Sequence, residues 1–187
     1  LGVSLDGAGG LYVADTDNHV IRRVGISSRV VTTVAGIVGT MGMTVGATPL
    51  LSKFNHPLGV EAVGAGNAYV ADRWNHAIRM LSGEWVAGST NGAYGSANAT
   101  AGTNAMFNYP MAVRADSASG LLYVADTHNY QVRTISIAGS HAVATLATLP
   151  TFVYDIALNP AARVLYAAVG SSVYVVTYEG NATLLAG

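Results

Sequence analysis

The chain contains no cysteine and a single lysine, Lys53. The first absence excludes disulfides, thiolate zinc sites and a cysteine nucleophile together. It leaves the compartment open, because a domain with enough core is secreted without disulfides. Charge of either sign is scarce, at 10% of 187 residues against roughly 25% in an ordinary globular chain. Nine basic and ten acidic residues give a net charge of -1, so no general field gathers phosphates and nucleic acid is disfavoured as a partner. No apolar run approaches the roughly 18 residues of a membrane-spanning helix, so no insertion by this segment is expected. The first residues have neither the basic start nor the apolar core of a signal peptide. There is no Gly-x-Ser-x-Gly elbow, HExxH pair or EF-hand loop. No stretch sustains a 3.6-residue apolar period between capping residues, which predicts no helix longer than a turn. These absences leave no catalytic residue, metal ligand or cofactor to assign.

What is present is repetition. Tyr12, Tyr69 and Tyr123 stand 57 and 54 residues apart, and Asp15, Asp72 and Asp126 keep that spacing. A worn copy, VLYAAVGSSVYVVTY, places Tyr166 after another 43 residues. Self-similarity at such a period marks a repeat architecture. Each copy holds four short apolar-alternating runs between Gly- and Asp-rich turns; in the first these are LGVSL, LYVAD, VIRRV and VVTTVAG. The units divide at about 1–57, 58–110, 111–153 and 154–187. Four-stranded antiparallel units that repeat are the blades of a β-propeller, each covering its neighbour's apolar faces. The expected fold is therefore all-β, with four blades. Gly2, Gly59 and Ala112 fall in the first strand, where converging blades leave no room for bulk, and Val3, Val60 and Val113 are placed to fill the space between blades.

The run of strand, VAD, Asn-His, Ile-Arg, then VTTVAG, a long Gly-rich connection and FNHP or FNYP resembles the NHL repeat. The motif reads NHV at 18–20, NHA at 75–77 and NYQ at 129–131. The resemblance implies a propeller, usually of six blades, that acts as a recognition platform. Four repeats against six imply part of a larger propeller, with a complete four-bladed ring and self-assembly of several chains as the alternatives.

The recurring polar residues Asp15, Asn18 and Arg22, Asp72, Asn75 and Arg79, and Asp126, Asn129 and Arg133 read as hairpin wiring. A group doing chemistry is needed once, whereas a group fixing a turn is needed in every turn. The Asp is expected to accept backbone N–H bonds in its turn, the Asn to take the left-handed conformation, and the Arg to pair with an Asp. His19, His76 and His128 lie in equivalent turns too far apart for one zinc ion and read as turn packing.

Non-repeating residues are the better binding candidates. His56 and Tyr109 each precede a Pro and an innermost strand, which places them at the mouth of the central channel. Glu61 and Arg114 carry opposite charge on neighbouring inner strands, and an interior ion pair between them is expected. Tyr94, with Met41, Met43, Leu50, Leu51, Met106 and Phe107, lies in the long connections (36–55 and 88–108). These offer contact surface, with packing on the disc the plainer expectation for Leu51 and Phe107. Asn98 and Asn181 stand in N-x-T sequons, which permit glycosylation and lean the location toward the cell exterior or surface. The function expected is non-catalytic recognition of a protein, peptide or glycan on the loop-bearing face. The alternative is a metal-assisted lyase or lactone hydrolase of propeller type, using His56, Glu61, Asp155 and Arg114 near the axis.

Overall fold

The computed structural model describes residues 2–64 and 66–187; Leu1 of the first expected strand lies outside them. Among the described residues sixteen strands form four antiparallel sheets, each with its strands in chain order. The first comprises β1 (Val3–Leu5), β2 (Gly10–Asp15), β3 (Val20–Gly25) and β4 (Val31–Ala35). The second comprises β5 (Pro57–Ala62), β6 (Ala68–Asp72), β7 (Ala77–Met80) and β8 (Trp85–Ala87). β9 (Pro110–Asp116), β10 (Leu121–Asp126), β11 (Gln131–Ser136) and β12 (Val143–Thr148) make the third. The fourth contains β13 (Val153–Asn159), β14 (Val164–Val169), β15 (Ser172–Thr177) and β16 (Ala182–Ala186). Helical structure among the described residues is confined to three-residue 3-10 turns.

Strand alternation sends one apolar row of each sheet forward and the other back. Tyr12, Ala14 and Ile21 of the first sheet bury against Val60 and Val70 of the second and Phe54 of the connection that leads to it. Tyr69, Ala71 and Ile78 then meet Val113, Val124 and Ile135 of the third, whose Tyr123 and Ala125 meet Ile156 and Leu165 of the fourth. Inner strands converge on an axis. A Cβ on Gly2 would lie 2.5 Å from the Leu58 carbonyl oxygen, and one on Gly59 would lie 2.7 Å from that of Met111. The backbones approach too closely for any side chain, so glycine is required there.

The two outer faces of the arc carry the same rows without a neighbour. Val60 and Val113 are fully buried between blades, but Val3, expected to fill the same space, is 57% exposed. At the other end Tyr166, Leu184 and Leu185 are exposed, although Tyr12, Tyr69 and Tyr123 at the position of Tyr166 are buried.

Candidate functional site

The recurring polar residues build one device three times. Asp15, Asp72 and Asp126 each end a second strand and lead into a 3-10 turn. Asn75 Nδ2 donates to Asp72 Oδ2 at 2.7 Å and Arg79 Nη1 to the same oxygen at 3.0 Å. Asn129 and Arg133 do the same to Asp126 Oδ2, at 2.7 and 2.8 Å. A register shift in the ladder beside Arg22, Arg79 and Arg133 re-aims each guanidinium toward the carboxylate, as bulges do.

Two details differ from the turn expected from sequence. The left-handed residue is the one after the Asn, namely His19, His76 or Tyr130, with φ of 59°, 54° and 59°. The carboxylate does not cap its own turn. Instead it grips the connection arriving from the preceding blade: Asp72 Oδ1 accepts from Asn55 N and Asp126 Oδ1 from Asn108 N, both at 2.7 Å. The arginines reach further along the same connections. Arg79 donates to the carbonyls of Lys53 and Thr44, and Arg133 to those of Met106 and Ala97 and to Asn98 Oδ1. The motif is therefore a clamp on the inter-blade loop. In the first blade Arg22, among the described residues, bonds Asp15 and Thr33 alone, with the two charged side chains 25% and 29% exposed. The other two pairs are fully buried. Burial pushes the Asp72 carboxyl up to about 6, against the pull of Arg79 and the Asn55 and Asn75 donors; burial raises Asp126 as well.

The clamped connections end in rings. Those of His56 and Tyr109 sit on residues with φ of 49° and 52°, a region costly for bulky side chains. Each is held there by the preceding blade's histidine, for His56 N donates to His19 Nδ1 at 3.2 Å and Tyr109 N to His76 Nδ1 at 3.1 Å. From there a continuous arc of rings crosses all four blades. His19 meets His56 edge-on, His56 stacks on Trp74 with centroids 4.0 Å apart, and Trp74 meets Tyr109 edge-on. Tyr109 touches both His76 and His128, His76 leads to Tyr94, and His128 leads to Phe152 and on to Tyr130 and Tyr154. The arc brings together His56, Tyr94 and Tyr109, three of the binding candidates, with Trp74, Phe152 and Tyr154, which sequence reasoning missed. The available signal was ring-bearing residues at matching places in successive turns and connections, such as Trp74 and His128, or His56, Tyr109 and Phe152.

As acceptors, His19 and His76 must be neutral at Nδ1, and desolvation holds both below the usual 6.5, with His56 and His128 respectively adding to the shift. A lowered folded pKa means the unfolded chain takes protons first. This stability is therefore complete above pH 6.5 and is lost as pH falls from there through the folded values. The histidine contribution to the urea midpoint is expected to drop between pH 7.5 and 5.5, against an opposite contribution from Asp72, whose raised folded pKa favours the folded protein as pH falls through 6. His76→Asn, which tolerates the left-handed backbone and does not titrate, flattens that slope.

Glu61 and Arg114 do not form the expected ion pair. Arg114 Nη2 bonds Asp155 Oδ1 at 2.9 Å, while Glu61 Oε1 accepts from Ala115 N at 3.4 Å. The bulged start of β13 leaves Asp155 as the carboxylate within reach of Arg114. Burial raises the Glu61 pKa, countered by the Ala115 N–H and Arg114. Arg114 and Asp155 line a cavity of about 140 Å³ with Gly2, Gly59, Ala112 and Tyr154. Among the described residues no three His, Asp or Glu side chains converge on a point that could hold a metal ion. No described helix is long and apolar enough to cross a membrane. In the connections Phe107 is fully buried, but Leu51, expected to pack, is 55% exposed. Tyr94, Asn98 and Asn181 stand exposed.

Four-stranded sheets packed face to face about an axis define a β-propeller. No family model matches the chain. It is 30% identical over 136 residues to human NHL repeat-containing protein 2, and 29% identical over 151 residues to the bovine protein. Those matches cover 68% and 76% of this chain and about a fifth of each relative's length. With the clamp motif, ring-bearing connections and blade order in place, the chain is an NHL-repeat β-propeller. In fold it is similar to a chain of a nidogen/laminin complex, with a TM-score of 0.73 at 14% identity over 100% of this chain and 64% of that one. A Bacteroides thetaiotaomicron protein of unknown function matches at 0.67 and 19% identity, over 99% of this chain and 46% of that chain. Both neighbours extend beyond the matched part, and the four sheets correspond to four blades of a larger propeller.

Proposed function

We propose that the loop-bearing face is a non-catalytic recognition surface for a protein, peptide or glycan. The observation that supports this most is the arc of rings, because aromatic side chains that stay partly open to solvent supply large contact area at low entropic cost. Trp74, Tyr94, Tyr130 and Tyr154 are all exposed along it. The scarcity of charge suits recognition by shape and stacking. The clamps under the arc hold its connections in place before binding, which lowers the ordering cost. Alanine changes at His56, Trp74, Tyr94 and Tyr109, tested against peptide and glycan arrays with surface plasmon resonance, are expected to cost about 2 kcal/mol at the central rings. A ligand bound equally by all four variants would place recognition elsewhere.

A second reading, a metal-assisted enzyme at the axis, draws on Glu61 and on the cavity beside Arg114 and Asp155. Elemental analysis of the purified full-length protein tests it, and absence of stoichiometric zinc or calcium removes it.

A further inference from the structure

Arg73 breaks the repeat. At the first position of the turn after the second strand, the first and third blades have threonine. Thr16 Oγ1 donates to the Pro57 carbonyl at 2.9 Å and Thr127 Oγ1 to the Val153 carbonyl at 2.8 Å. Each thereby ties its turn to the first residue of the next blade's inner strand. The second blade puts an arginine there, at the seam with the third blade. Among the described residues its guanidinium makes no ion pair, and its buried Nε has no hydrogen-bond partner. The group lies 5.6 Å from the centre of the Tyr109 ring and follows directly on Asp72, whose charge Arg79 already takes. A buried N–H without a partner is costly in a free protein, and the Arg73 Nε stands so in the middle of the aromatic arc.

We propose that Arg73 is the anchor for a carboxylate side chain of a peptide ligand, with Trp74 and Tyr109 flanking the acid as platforms for its apolar neighbours. This deepens the recognition reading of the same face and rests on it. Arginine's planar fork matches a carboxylate. A polyanion fits poorly, since nucleic acid or an acidic polysaccharide repeats its charge and needs cations along its track. The arc carries this one arginine, and burial together with the Arg73 charge keeps the His128 pKa low, so His128 adds no second cation. One acid set among apolar or aromatic residues describes a peptide.

Arg73→Thr restores the residue the first and third blades use and keeps the turn, which separates binding from folding. The full-length protein and this variant are panned against a random octapeptide display library, and the selected peptides are resynthesised with Glu changed to Gln. The wild type is expected to enrich Asp or Glu beside apolar residues, with affinity falling roughly tenfold or more for the Gln peptide or for Arg73→Thr. The two losses are expected not to add when combined, and Arg73→Lys recovers part of the affinity. Equal affinity of wild type and Arg73→Thr for the Glu peptide, or no enrichment of acids, overturns the assignment. If the Ala variants of the arc still lose binding in that case, the recognition face stands and only the acidic anchor falls. Selective capture of a hyaluronan oligosaccharide by the wild type, with no peptide enriched, overturns it in favour of an acidic glycan.

Discussion

Arg79→Ala and Arg133→Ala are each expected to destabilise the protein by about 3–5 kcal/mol, whereas Arg22→Ala costs about 0–1 kcal/mol. The three arginines occupy one motif position, so the difference is set by environment alone. In the second and third blades both partners of the ion pair are fully buried, and deleting the guanidinium leaves a carboxylate in a dry seam. The loop carbonyls of Lys53 and Thr44, or of Met106 and Ala97, lose their donor as well, and an orphaned buried acceptor costs about 1–3 kcal/mol. In the first blade water reaches Asp15 and Arg22, so it replaces what the mutation removes. Urea denaturation of the three variants at pH 7 reads the contrast. The deficit of Arg79→Ala is expected to shrink as pH is lowered toward 5. Asp72, already raised to about 6 with its partner present, takes a proton more readily without it and ceases to be a buried charge. Equal losses at all three positions would show that the inter-blade loop does not close over the second and third clamps.

Phe107→Ala is expected to cost a further about 3–5 kcal/mol, the range for truncating a buried aromatic, while Leu51→Ala stays within about 0.5 kcal/mol. Both residues lie in connections of similar composition. Phe107 is fully buried in the seam between the second and third blades, with the Arg133 guanidinium 5.1 Å from its ring centre; Phe54 holds the same relation to Arg79 at 4.8 Å. Each phenylalanine is therefore the lid of one clamp. Its loss opens a cavity, wets the ion pair beneath and releases the connection that presents Tyr109 two residues later. Thermal unfolding reports the stability, and near-ultraviolet circular dichroism reports loosening of the arc. Retention of the near-ultraviolet signal in Phe107→Ala would separate the arc from the lid.

Sequence reasoning reached the blades because their period is long, their strands are short and alternating, and Gly and Asp punctuate them. It reached the structural nature of Asp72, Asn75 and Arg79 because chemistry repeated in every unit is architecture. It did not reach their target, since the loop groups they grip lie 17 to 36 residues earlier and nothing local announces which carbonyls will face an arginine. Arg114 illustrates the same limit. Opposite charge on adjacent inner strands suggested Glu61, but the bulge at the start of β13 offers Asp155 instead.

The arc shows where the division falls. His19 and His76 were legible as turn residues, and His56 and Tyr109 as ring-bearing residues just ahead of an inner strand. That a turn histidine accepts the amide of the next connection, forcing a left-handed backbone and lining the rings into one surface, depends on how neighbouring sheets stack. By itself the sequence determined a repeated four-stranded unit and its turns, because those follow from contacts close along the chain. Tertiary structure alone decided which repeats are clamped and dry, which rings touch, and that Arg73 stands without a counter-ion. Each of those depends on distances between atoms far apart in sequence, set when one blade packs against the next.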